Sequence, residues 1–123
     1  MKIILYTKEN ENSERLIKAL NTIVAKEKLE VIKSISSFTK RVNEFITETV
    51  IFILMPSTKE ELHIMNSIYE LLYNINPKIL ILPDRDKETV CMGFRLYPRF
   101  VEYADSNFMS LSAVLNKMVK NIG

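Results

Sequence analysis

Glycine is almost missing from this chain: only Gly93 and Gly123 occur in 123 residues. That scarcity excludes the glycine-rich loops that fold a backbone closely around phosphate, and with them the P-loop and dinucleotide fingerprints. Cysteine is scarcer still. Cys91 stands alone, so an internal disulfide framework is excluded, a pattern that fits a reducing cytoplasm. His63 has no cysteine or histidine partner at ligand spacing, so there is no zinc motif. No apolar run approaches the roughly 20 residues that a bilayer-spanning helix needs. The opening Met1-Lys2-Ile3-Ile4-Leu5-Tyr6 turns polar too soon for a signal-peptide core and lacks a small-residue cleavage site. Neither sign of charge dominates. The 17 basic and 15 acidic residues leave a net charge of +2, and the basic ones are scattered, so nothing marks a nucleic-acid footprint.

What is present is enough for one packed domain covering 1–123. Hydrophobic residues make up 47% of the chain and charged residues an ordinary 26%. Ile3–Tyr6 is a continuous apolar run, the mark of a strand buried on both faces. Asn10–Ser13 can cap a helix that carries Leu16, Ile17, Leu20, Ile23 and Val24. Leu29–Ile35 alternates in part, which suits a strand at or near a sheet edge. Ser36 and Ser37 offer a cap for a short helix with Phe38, Val42 and Phe45. Val50–Met55 is the most apolar run and predicts a central strand, ended by Pro56.

Thr58-Lys59-Glu60-Glu61 matches a capping box. Leu62, Met65, Ile68, Tyr69, Leu72 and Ile75 follow at spacings of three and four, predicting one helix that stops at Asn76-Pro77. Ile79–Leu82 is a fourth strand closed by Pro83, and Glu88–Leu96 a short helix containing Gly93. Phe100–Tyr103 is a fifth strand. Phe108, Leu111, Leu115, Met118 and Ile122 form the stripe of a terminal helix. Five strand–helix units predict a parallel sheet with helices on both faces, because each crossover must return across a face. The expected strand order is 2-1-3-4-5, which puts strands 1 and 3 together in the centre.

This arrangement resembles the flavodoxin-like fold, and in length and order the receiver domain of two-component signalling. The resemblance spans the chain but rests on architecture. A receiver needs an acidic pair after strand 1, where Thr7 and Lys8 stand. It needs a phosphoaccepting aspartate at the end of strand 3, where Leu54, Met55 and Pro56 stand. It needs Ser or Thr after strand 4, where Pro83 stands, and Lys after strand 5, where the chain reads Tyr103-Ala104-Asp105. Phosphoryl transfer to a carboxylate requires the nucleophile and a magnesium ion held by acids, and leucine and methionine supply neither. The resemblance therefore implies a degenerate receiver, with no phosphoacceptor and no catalytic residues, acting by protein binding.

In an open parallel sheet, ligands bind beyond the carboxyl ends of the strands. A rival reading places a small ligand or cofactor there. Tyr6–Glu14 resembles the phosphate loop of flavodoxins in its Thr, Asn and Ser content, with Thr7, Asn10, Asn12 and Ser13 at the helix start. Yet the loop has no glycine, and Glu9, Glu11 and Glu14 would repel an anion; a solvated loop and helix cap explains it as well. Asp84, Asp86 and Asp105 converge on the same crevice if the strand ends are as expected. The sign-alternating Asp84-Arg85-Asp86-Lys87 also reads as a solvated turn, and Asp105 as a cap of the last helix. The expectation is no cofactor and no metal. His63 reads as a surface or boundary residue and Cys91 as a small, partly buried one.

One positive feature remains. Met92, Phe94, Leu96, Tyr97, Phe100 and Tyr103 crowd into the fourth helix and fifth strand, more than one short helix is expected to bury. Receivers use the face of helix 4, strand 5 and helix 5 for dimers and output partners. Met92, Phe94, Tyr97, Phe100 and Tyr103 are therefore the candidate interface, for a protein partner or a second copy; the alternative is that they fill the core.

Overall fold

A computed structural model describes residues 1–44 and 46–122, the last without its side chain. Phe45 and the side chain of Ile122, both expected on helix stripes, lie outside the described residues. Five strands form one parallel sheet: β1 (Lys2–Thr7), β2 (Leu29–Ile32), β3 (Val50–Met55), β4 (Lys78–Leu82) and β5 (Phe100–Tyr103). Their order is β2-β1-β3-β4-β5, a three-layer, flavodoxin-like α/β architecture. In the centre, Ile3 pairs with Ile51, Leu5 with Ile53, and Thr7 with Met55. Every residue of β3 is buried, as its unbroken apolar run predicts.

Among the described residues, six α-helices cover the sheet: α1 (Glu11–Asn21), α2 (Ile35–Val42), α3 (Lys59–Ser67), α4 (Tyr69–Tyr73), α5 (Lys87–Phe94) and α6 (Met109–Ile122). None is long and apolar enough to cross a membrane among the described residues. Alternation along the strands divides the core. Ile4, Tyr6, Phe52, Leu54, Leu80 and Leu82 face α2 to α5, meeting Phe38, Leu62, Met65, Leu72 and Met92. Ile3, Leu5, Ile51, Ile53, Ile79 and Ile81 face α1 and α6, meeting Leu16, Leu20, Leu111 and Leu115.

Three local expectations are corrected. β2 ends at Ile32, and Ser34 caps α2 in place of Ser36 or Ser37, its hydroxyl accepting from the Ser37 amide at 3.2 Å. α1 ends at Asn21, so Ile23 and Val24 lie beyond it, and both amides turn back to the Leu20 carbonyl. The helix expected over 59–75 is broken at Ile68, whose φ of −108° and ψ of 31° leave the α region. Asn66 and Ser67 account for the break. The Asn66 amide donates to the carbonyls of Leu62 and Met92, and the Ser67 hydroxyl donates to that of Ile64, so side chains compete for helix carbonyls.

Candidate functional site

At the carboxyl ends of the strands, the expected crevice residues are engaged by neighbouring groups of the protein. Thr7 and Ser13 are each 1% exposed. The Thr7 hydroxyl donates to the Lys8 carbonyl at 3.0 Å. Asn10 and Ser13 form a reciprocal capping box at the start of α1, each side chain accepting from the other's amide at 2.9 Å. Asn12 accepts from Arg15 at 2.9 Å. Arg15 also donates to the carbonyls of Ala104 and Ser106 and lies over the Phe108 ring, tying α1 to the loop after β5. A cleft of about 200 Å³ lies beside Thr7 and Ser13, walled by Glu9 and Glu14.

The aspartates do not converge. Asp84 accepts from the Asp86 amide at 2.9 Å, Asp86 pairs with Lys59 at 2.8 Å, and Asp105 pairs with Arg85 at 2.6 Å. The Arg85 guanidinium holds the Asp105 carboxyl below its ordinary range. Asp105 therefore does not cap α6. Just before α6, the Asn107 side chain accepts from the Met109 amide at 3.0 Å. Among the described residues, no three Asp, Glu, His or Cys side chains could hold a metal ion together. His63 is exposed beside Glu88 at 3.3 Å. Cys91 is exposed, which corrects the expectation of partial burial.

The centre of the crevice, between β1 and β3, holds a network that sequence reading missed. Glu61 is 3% exposed, and Tyr6 is fully buried. The Tyr6 hydroxyl donates to Glu61 Oε1 at 2.6 Å. The Ser57 hydroxyl donates to Oε2 at 2.8 Å, and Lys8 Nζ lies 3.3 Å from the same oxygen. Thr58 caps α3 as expected, accepting from the Glu61 amide, but the Glu61 side chain turns inward instead of completing the box. Burial, reinforced by the adjacent carboxylate, pushes the Tyr6 phenol well above its ordinary range. A buried tyrosine needs a partner for its hydroxyl, which was the available signal. The network gives both carboxylate oxygens partners within the protein, and Met55, 2% exposed, stands at the end of β3.

The candidate interface residues separate. Met92 is corrected to a core residue at 3% exposure, and Leu96 is buried with it. The cause is Gly93, which lets α5 press against β4; a Cβ there would lie 2.9 Å from Leu82 Cδ2. Phe100 and Tyr103 are half-buried on opposite faces of the sheet, and Arg85 lies 4.3 Å over the Tyr103 ring. Phe94 and Tyr97, in contrast, are 57% and 63% exposed. Tyr97 holds a φ of 53°, left-handed backbone that a tyrosine adopts at a cost.

Two further tyrosines join them. The Tyr73 ring packs edge-on against Tyr97 at 5.7 Å and lies 5.8 Å from Tyr69. Tyr73 itself is 52% exposed. α4 and α5 run antiparallel to the strands, so this aromatic surface lies at the amino ends of the strands, opposite the crevice. Beside it opens a cleft of about 330 Å³ lined by Tyr73, Asn74, Asn76, Lys78 and Tyr97. Lys78 is only 1% exposed. Its ammonium donates to the Ile75 carbonyl and Asn76 Oδ1, each at 3.3 Å, and meets no carboxylate among the described residues. Burial pushes its pKa below the ordinary lysine value.

The chain matches no family model and no curated protein.

Proposed function

We propose that this chain is a non-phosphorylatable, receiver-like regulatory protein that acts by binding another protein through Tyr73, Phe94 and Tyr97. The observation that carries the reading is the exposure of these three large aromatic side chains, each more than half open, at one end of the fold. Clustered exposed aromatics mark interfaces, and tyrosine is among the residues that most often dominate binding energy. The backbone supports the same reading. Tyr97 keeps its outward position in a left-handed conformation that glycine would adopt without cost.

The carboxyl ends of the strands support the non-phosphorylatable part. Met55 offers no nucleophile, and Glu61 already accepts from Tyr6 and Ser57 and pairs with Lys8. Acetyl phosphate with magnesium is expected to leave the mass of the protein unchanged. An acid-labile phosphoryl adduct on an aspartate would overturn that part of the proposal. Sedimentation across a concentration series then reads self-association. If the partner is a second copy, Phe94→Asp and Tyr97→Asp shift the protein to monomer; a dimer that survives both substitutions contradicts the assigned surface.

A further inference from the structure

The geometry points to the cleft lined by Tyr73, Asn74, Asn76, Lys78 and Tyr97 as a binding site for a planar monocarboxylate, its carboxylate on Lys78 and its ring against the tyrosines. Lys78 is the basis. It lines the cleft, yet it is 1% exposed and, among the described residues, has only two neutral acceptors, each at 3.3 Å. A buried ammonium without a counter-charge is costly, and an anion beside it meets a cation in low-dielectric surroundings, where attraction is strongest. Burial also lowers the lysine's pKa, the direction expected of a cation lacking a partner.

The other walls fit the rest of the ligand. Asn74 and Asn76 bring side-chain amides, and Tyr73 and Tyr97 bring aromatic rings set 84° apart. The charge balance selects a monoanion. Among the described residues, Lys78 is the one cation lining this cleft, and it balances a single negative charge. A phosphate dianion would keep one charge that Lys78 does not balance. The cleft shares Tyr73 and Tyr97 with the proposed protein-binding surface but not Phe94, so Phe94→Asp tests that surface while leaving the lining of the cleft unchanged.

The test is an NMR titration of the labelled protein with benzoate, with benzamide as the neutral isostere and inorganic phosphate as the dianion. Benzoate is expected to give saturable shifts at Tyr73, Asn74, Asn76, Lys78 and Tyr97, with benzamide and phosphate at least about ten-fold weaker. Lys78→Met, similar in length but uncharged, is expected to weaken benzoate at least about ten-fold. Tyr97→Ala, at an exposed position, reports on the same cleft without touching the core. A tripeptide ending in phenylalanine, as free acid and as amide, separates two sources of the carboxylate. Tighter binding of the peptide acid than of benzoate assigns the cleft to a partner's chain end; equal or weaker binding assigns it to a free small acid. No shift from either acid at these residues, equal binding of benzamide, or unchanged binding by Lys78→Met overturns the proposal.

Discussion

Replacing Tyr6 with phenylalanine tests whether the network at the strand ends holds the fold together there. The substitution keeps the ring and its edge contact with Phe38 at 5.7 Å, and removes only the hydroxyl that donates to Glu61 at 2.6 Å. A hydrogen bond to a charged group contributes about 1.5–3 kcal/mol. Glu61 stays 3% exposed, so water does not readily replace the lost donor. Ser57 and Lys8 remain on Oε2, but Oε1 loses its phenol. The expected loss is therefore about 2 kcal/mol, within the range for removing one partner of a buried polar pair.

Urea unfolding at pH 7 reads that loss as a fall in midpoint of roughly 1 M, for a slope of about 1–3 kcal/mol/M. The pH dependence supplies a second reading. The Tyr6 phenol titrates above its unfolded value of 10.0, so the folded protein keeps a proton that the unfolded chain gives up. Stability from this group is complete below pH 10 and falls as pH rises above it. Tyr6→Phe removes that component of the alkaline decline. A change in stability below about 0.5 kcal/mol, the scatter of ordinary surface substitutions, would refute the assigned energetics.

Lys78→Met removes a buried cation at the other end of the sheet. At pH 7 the variant is expected to be as stable as the wild type or about 1–2 kcal/mol more stable, by urea unfolding, because the lost bonds to two neutral acceptors offset part of the gain. Lys78 titrates below its ordinary value of 10.5, so between the two values the unfolded chain binds more protons. Wild-type stability therefore gains a rising component with pH in that window, and Lys78→Met lacks it. Tyr97→Gly relieves a φ of 53° and is expected to stabilise the protein by about 1 kcal/mol in thermal unfolding while weakening partner binding.

The sheet was legible because its strands are apolar on both faces. Val50–Met55 and Ile79–Leu82 could be buried only between two helical layers, and alternation of strand and helix then dictated the strand order. What was missed lies in contacts between distant positions. Glu61 satisfies a local capping motif, but its carboxylate is claimed by Tyr6, 55 residues away. The break at Ile68 depends in part on Asn66 reaching the Met92 carbonyl, 26 residues on. The crowding of aromatics around Phe94–Tyr103 was legible, but its division between core and surface was not. Gly93 sets that division by fixing which side of α5 meets β4, turning Met92 inward and leaving Cys91 and Phe94 exposed. Tyr73 was missed because its partner, Tyr97, sits beyond an intervening strand and helix. Lys78 directly follows Pro77 at the start of a strand, where a charge ordinarily reaches solvent; its ammonium instead turns back to the Ile75 carbonyl and Asn76 Oδ1.

The central claim is that Tyr73, Phe94 and Tyr97 form a protein-binding surface. It is tested most directly by placing a photo-crosslinking amino acid at position 97 in cells that make the protein, with position 117 as control. Lys117 is exposed on α6, on the opposite face of the sheet. The expected result is a discrete crosslinked adduct from position 97 that Phe94→Asp abolishes, with none from position 117. Equal crosslinking from both positions, or no adduct from position 97, would contradict it.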